Sequence, residues 1–253
     1  MSRTIDLNAD LGEFDEPAAL ARDGAIMAQI SSANIACGGH AGNDRTMAGM
    51  LEASAAAGVA AGAHPSYPDR ENFGRTSMKM TDEALTATLA RQILALKRHA
   101  DARGIALTHV KPHGQLYNDA ADDARLAGLI AGVIKAALPG AAYVGLAGSE
   151  MGAAARAAGL TFIAEGFADR RYDARGRLVS RKEAGAVLES EAERIGQALD
   201  LARGAPIHSK EGGLIDLQID SICLHSDSDG ALASARDIRA ALGKAGIKVG
   251  ARR

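Results

Sequence analysis

Residues Leu107–His113 read LTHVKPH, a short apolar run that ends in a lysine, a proline and a histidine. Five other runs end the same way: Ile5–Asp10 (IDLNAD), Ala33–His40 (ANIACGGH), Val59–His64 (VAAGAH), Phe162–Asp169 (FIAEGFAD) and Ser221–Asp227 (SICLHSD). One such ending would be noise. Six suggest parallel strands that deliver proton- or metal-active side chains to one rim, as at the C-terminal face of a β/α barrel.

The intervening segments have helical character. Glycine followed by an aliphatic residue recurs at Gly58-Val59, Gly104-Ile105, Gly159-Leu160 and Gly246-Ile247, where glycine closes a helix and the next residue opens a buried strand. Pro139-Gly140 marks a similar junction. Expected helices cover Glu16–Ile30, Asn43–Ala57, Thr81–Arg103, Asp119–Leu138, Ser149–Ala158, Lys182–Arg203 and Gly230–Lys244, with Asn43 and Thr81 as N-caps. Seven strands, the last Ile222–His225, and a stub at Ile247–Val249 predict a single α/β domain over 1–253, an irregular TIM-like (β/α) barrel. An open doubly wound sheet is the rival. It lacks support because no G-x-G-x-x-G follows the first strand, and reactive groups on so many strands need a closed ring to converge.

Bulk properties agree. The 253 residues are 47% apolar, but with no Trp and four each of Phe and Tyr the core is aliphatic. A net charge of −2 excludes the basic excess of a nucleic-acid or membrane-surface binder. MSRTIDLNAD has no apolar leader, and Leu126–Ser149 is too interrupted to span a membrane, so a cytoplasmic protein is expected. Cys37 and Cys223 lack C-x-x-C spacing and read as buried structural thiols of a reducing compartment.

Asn8 and Asp10 share one strand face, and Glu13 follows in the loop, against the plainer reading of a turn and a helix cap. His40 follows paired glycines that free backbone N–H groups for an anion. His64 is held extended by Pro65, which favours a site role over core packing. Lys111 could stabilise an oxyanion, with His113 above it, whereas His109 lies deeper on the same face and reads as packing. His99 and His208 read as structural or solvated. Glu165–Arg181 gathers Arg170, Arg171, Arg175, Arg177 and Arg181 among acids, either to order over an anion or to form surface ion pairs. Gly145–Gly152 is equally a phosphate cradle or a tight βα turn. No P-loop and no G-x-S-x-G elbow occur, so a covalent serine or cysteine mechanism has no support.

Taken in order, NADLGE (8–13), SSANIACGGHAGN (31–43), GAHPSYPDRENFGR (62–75), VKPHGQLYN (110–118), FADRRYD (167–173) and ICLHSD (222–227) resemble the LamB/YcsF family, the A subunits of prokaryotic 5-oxoprolinase, over nearly the whole chain. The resemblance implies a barrel of the glycoside hydrolase/deacetylase type. It also implies hydrolysis of 5-oxoproline to L-glutamate with ATP as co-substrate, in company with subunits B and C. Carried over by motif, Asp10, His64, Lys111 and His113 are the candidate catalytic residues. Asn8, Glu13, Asn34, His40, Glu165, Asp169, Arg171, His225 and Asp227 are candidates for holding substrate. Gly39, Gly166, Ser226 and Ser228-Asp229 depart from the family pattern beside the site. Two alternatives stay open. One is a stand-alone deacetylase or amidohydrolase with a divalent metal on Asp10, His40 and His64. The other is a non-catalytic lactam-binding subunit. Self-association is also open.

Overall fold

The structure is a computed structural model that describes residues 3–224 and 230–252. The first apolar run forms β1 (Thr4–Leu11), followed by α1 (Pro17–Met27), β2 (Ser32–Ala36), α2 (Asp44–Ala57), β3 (Ala60–His64) and α3 (Asp82–Asp101). Then come β4 (Leu107–Val110), α4 (Gly114–Asp122), α5 (Ala124–Ala137), β5 (Ala142–Leu146), α6 (Glu150–Ala158) and β6 (Phe162–Phe167). The chain ends with α7 (Glu191–Arg203), β7 (Ile207–His208), β8 (Leu214–Ile215), β9 (Ser221–Leu224), α8 (Ala231–Lys244) and β10 (Lys248–Val249).

Seven strands close a parallel ring in the order β1-β2-β3-β4-β5-β6-β9, and β9 pairs back to β1. The stub expected near 247–249 is real. It pairs with Thr4 and Ile5, extending the edge of β1 below its contact with β9. The fold is the irregular α/β barrel the strand endings imply.

Local signals act as expected at several helix ends. The Asn43 and Thr81 side chains accept from the backbone N–H of Thr46 and Ala84, and Gly58 and Gly159 close their helices at positive φ. Two expectations need correction. The segment Asp119–Leu138 is two helices, because Asp123 takes an extended conformation and caps α5 through Leu126 N–H. Lys182–Arg203 is helical only from Glu191, where Ser190 and Glu193 form a capping box; the residues before it belong to a loop. The short β7-β8 hairpin between Ile207 and Ile215 is an addition to the expected elements.

Odd residues of β1 (Ile5, Leu7, Ala9, Leu11) are buried in the layer between barrel and helices. Even ones (Asp6, Asn8, Asp10) face the barrel axis, which is unusually polar. On the floor, Asp6 accepts from Ser31, Ser32 and Ser221, and burial raises its pKa despite those bonds. At Gly62 a Cβ would stand 2.3 Å from the His109 ring, so the missing side chain makes room for that imidazole inside the ring.

Candidate active site

Register sets Asn8 beside Cys223, Asp10 beside Asn34, and Glu165 beside Ser221. Their side chains therefore meet above the polar floor. The centre is Lys111, only 2% exposed. Its ammonium lies 3.0 Å from Asp10 Oδ1, 2.9 Å from Glu165 Oε1, 3.2 Å from Asn8 Oδ1 and 3.1 Å from Cys223 Sγ. Burial by itself would lower the lysine pKa, but Asp10 foremost, with Glu165, holds it well above its usual value. The acids have further support: Asn34 donates to Asp10 and Asn8, Asn8 donates to Glu165, and the Tyr117 hydroxyl donates to Glu165 Oε2 at 2.7 Å.

Next to this network lie three imidazoles. His64 Nδ1 is 2.7 Å from the Lys111 carbonyl, and His113 Nε2 is 2.9 Å from the Phe73 carbonyl. Carbonyl oxygens only accept, so those two nitrogens carry the protons. The remaining lone pairs, on His64 Nε2 and His113 Nδ1, face each other at 3.0 Å. Only a proton or a cation relieves that repulsion. Phe73, whose carbonyl fixes the His113 tautomer, is the one non-glycine residue at positive φ among the described residues (55°). His40 stacks on His113 with centroids 3.6 Å apart and faces Glu13 through Nε2 at 3.2 Å. Burial keeps His40 and His113 well below the usual imidazole pKa, and neighbouring imidazoles add to the effect.

Glu13, His40, His64 and His113 have donor atoms within 4.8 Å of one another, so a cation would find its ligands here. The expected trio of Asp10, His40 and His64 is not the set brought together, because Asp10 is committed to Lys111 and Asn34, although its Oδ2 is 3.4 Å from His64 Nε2. His64 Nε2 and His113 Nδ1, 3.0 Å apart, and Glu13 Oε1, 3.6 Å from His113 Nδ1, are the residues that would hold one ion. The His40 ring lies parallel to that of His113 (8°), which prevents both from pointing at the same ion in their planes.

A cavity of about 310 Å³ opens onto Asp10, Glu13, His64, Lys111 and His113. It is also lined by Arg75, Tyr117, Phe167, Arg170, Arg181 and Lys182. Arg171 is not part of it; its guanidinium pairs with Glu193 on the surface at 3.0 Å. Arg175 and Arg177 likewise pair with Asp173 and Asp122, so the surface-ion-pair reading holds for these three. Asp169 lines a neighbouring cavity with Arg181 and Arg194. His225 and Asp227 lie outside the described residues, as do Ser226, Ser228 and Asp229. Gly145–Gly152 forms a βα turn capped by Ser149. His99 pairs with exposed Asp44, and His208 is exposed, as expected.

Tyr117, Ser221 and Phe73 belong to the site without having been singled out by their sequence context, and of the five arginines between 165 and 181 Arg170 and Arg181 line the cavity. Tyr117 follows KPHGQL as the fourth residue of α4, close enough to the motif to be a signal. Cys223 fits its structural reading, because burial pushes the thiol well above its usual pKa, as it pushes Cys37 to about 12. The glycine departures also gain a local cause. A Cβ at Gly39 would stand 2.3 Å from Gln92 Oε1 and Ser66 Oγ, and Gln92 holds both backbone polar groups of Ser66. Gly166 faces Ile219 and Leu201, away from the cavity.

Fold and geometry define a parallel β/α barrel with a buried acid–lysine–imidazole centre at the carboxyl ends of its strands, suited to proton transfer and oxyanion stabilisation. The LamB/YcsF family profile matches residues 5–253, and the chain belongs to that family. A relative from Methylococcus capsulatus, the A subunit of 5-oxoprolinase, is 44% identical over 251 residues, which cover 99% of this chain and 96% of that one. The crystal structure of a lactam utilization protein from Thermus thermophilus superposes with a TM-score of 0.91 at 37% identity, covering 98% of this chain and 100% of that one. A family 4 carbohydrate esterase from Streptomyces lividans shares the fold alone, with 13% identity, a TM-score of 0.52 and coverage of 98% and 92%. No helix among the described residues is long and apolar enough to cross a membrane.

Proposed function

We propose that this chain is the A subunit of an ATP-dependent 5-oxoprolinase, which with subunits B and C hydrolyses the lactam of 5-oxoproline to L-glutamate. The near full-length likeness to a 5-oxoprolinase A subunit carries the proposal, and the Lys111 centre gives it chemistry. A five-membered lactam is a resonance-stabilised amide and a poor electrophile, so phosphorylation of its oxygen by ATP would make the ring carbon attackable. In the proposed mechanism, water gives its proton to His64 Nε2, the nitrogen left unprotonated by the bond from Nδ1 to Lys111 O. Asp10, 3.4 Å away, stabilises the imidazolium that forms, while Lys111 holds the charge that builds on oxygen. The C–N bond then breaks, the leaving nitrogen takes the proton back, and the γ-glutamyl phosphate that results is hydrolysed by a second water to L-glutamate and inorganic phosphate. His113 keeps His64 in place. Two unpaired, buried thiols support the reducing cytoplasm as its setting.

Glutamate release from 5-oxoproline, with and without ATP, for this chain alone and mixed with subunits B and C, tests the proposal. The expected result is ATP-dependent glutamate from the full mixture, lost with His64→Ala or Lys111→Ala. No glutamate from an assembled mixture would refute it.

A second reading, a metal-dependent amidohydrolase, is favoured by the facing lone pairs of His64 and His113 beside Glu13. A divalent ion held by those three residues would supply Lewis acidity and a more acidic bound water. Metal analysis of protein purified without chelator decides it: less than a trace of zinc, nickel or iron excludes this reading.

A further inference from the structure

Four of the five arginines between 165 and 181 are engaged at the surface or by neighbouring groups, and Arg170 is the exception. It is 5% exposed and lines the central cavity. Its guanidinium donates to one acceptor among the described residues, the Val179 carbonyl, and its buried Nε has no partner. No carboxylate among those residues forms an ion pair with it. Asp169 attracts it only from beyond ion-pair distance, and burial lowers its pKa to about 10, so a buried guanidinium this weakly compensated gains from an anionic ligand. The backbone around it is fixed: Gln197 Nε2 donates to the Arg170 carbonyl at 2.8 Å, and Arg170 bridges to Val187. Arg181 and Lys182 line the same cavity as Arg170, and Arg75 and Lys111 line it too, alongside Asp10 and Glu13. An anion that enters is drawn to those cations.

We propose that Arg170 binds the substrate's carboxylate in a charge-assisted fork, which turns the neutral ring of the same molecule toward Lys111, His64 and His113; this rests on the lactam reading above. A planar guanidinium is matched to a carboxylate in a way that a lysine is not. The site thereby selects lactams that carry a carboxylate over the bare ring.

Calorimetric titration of the full chain tests this with 5-oxoproline, 2-pyrrolidinone (the same ring without the carboxylate) and inorganic phosphate, for wild type, Arg170→Lys and Arg170→Met. The expected result is a loss of about 10–100-fold in 5-oxoproline affinity for Arg170→Met, a smaller loss for Arg170→Lys, and an unchanged 2-pyrrolidinone affinity. Equal loss of both lactams would make Arg170 structural and overturn the proposal. So would phosphate binding that depends on Arg170 while 5-oxoproline binding does not. If the assembled complex does not hydrolyse 5-oxoproline, the lactam reading fails, and thermal stabilisation by acetate relative to acetamide tests Arg170 independently. Stabilisation by acetate that disappears in Arg170→Met supports the carboxylate site; a wild-type chain that does not distinguish the two overturns it.

Discussion

Replacing Lys111 with methionine tests whether one ammonium holds the centre together. Methionine is close to lysine in volume, so little of the effect comes from a void. What is lost is the cation 3.0 Å from Asp10 and 2.9 Å from Glu165, whose side chains are 12% and 0% exposed. Removing one partner of a buried ion pair costs about 3–5 kcal/mol, because the other charge is left uncompensated. Here two carboxylates are left, so the upper half of that range is expected. In a chain of this size each kcal/mol moves the melting midpoint by about 2–4 °C, which gives a fall of about 8–20 °C. Lys111→Met/Glu165→Gln removes one stranded charge, and the glutamine can still accept from Tyr117. The double variant should therefore be more stable than the sum of the single effects predicts, by at least about 1 kcal/mol. Urea unfolding of the wild type, both single variants and the double variant measures this coupling. Activity should stay lost in both variants that lack Lys111. A Lys111→Met chain melting within about 2 °C of wild type, or strictly additive effects, would refute the reasoning.

Asp23 on α1 is 1% exposed and accepts the Gly12 N–H, and burial raises its pKa to about 6. Its folded value exceeds the ordinary value of 3.8, so its contribution to stability is full below pH 3.8 and is lost as pH rises through about 6, a change of about 3 kcal/mol. Asp23→Asn, which keeps an oxygen for Gly12, should remove that part of the pH slope in urea unfolding between about pH 4 and 7; an unchanged slope would count against it. Gly39→Ala should lower stability by about 1–3 kcal/mol through its collision with Gln92 and Ser66. Part of the loss should return in a Gln92→Ala background, where the Ser66 contact remains; thermal melts of the four chains check this, and equal penalties in both backgrounds would refute it.

The barrel was legible because strand ends and helix ends are local signals. The Asn43 and Thr81 caps and the glycine–aliphatic junctions bracket each β/α unit without reference to tertiary structure. Expectation and structure part where two signals compete. The apolar pattern runs through residues 119–138, so periodicity hides the cap at Asp123. Likewise, the charged stretch from Lys182 masks the Ser190–Glu193 capping box, although its spacing is plain in the sequence. Two-residue strands such as β7 and β8 are too short to show alternation. At the site, alternation orders Asn8, Asp10, His109 and Lys111 correctly because each lies on or directly beyond a strand. Past Phe167 the strand has ended, and the choice between adjacent Arg170 and Arg171 depends on loop bridges to Val187 and Leu178 that only the fold supplies. Tyr117 and Ser221 matter through Glu165 and Asn8, partners 48 and 213 residues away.

The charge balance of the centre explains its arrangement. Among the described residues, Asp10, Glu13 and Glu165 bring three formal negative charges to one region, Lys111 sits among them, and Arg75 lines the same cavity. Burial keeps His40 and His113 neutral, so these imidazoles do not offset the excess. The centre therefore draws positive charge to the gap between His64 and His113, as a proton taken from water or as a cation. An anionic group in the cavity is drawn to Arg170, Arg181 and Lys182. On the proposed reading, a substrate with a neutral amide at one end and a carboxylate at the other would place its carboxylate there and its amide toward Lys111. Neutralising Arg170 should therefore impair binding while leaving the acid–imidazole centre intact, whereas removing Lys111 should disrupt the centre itself.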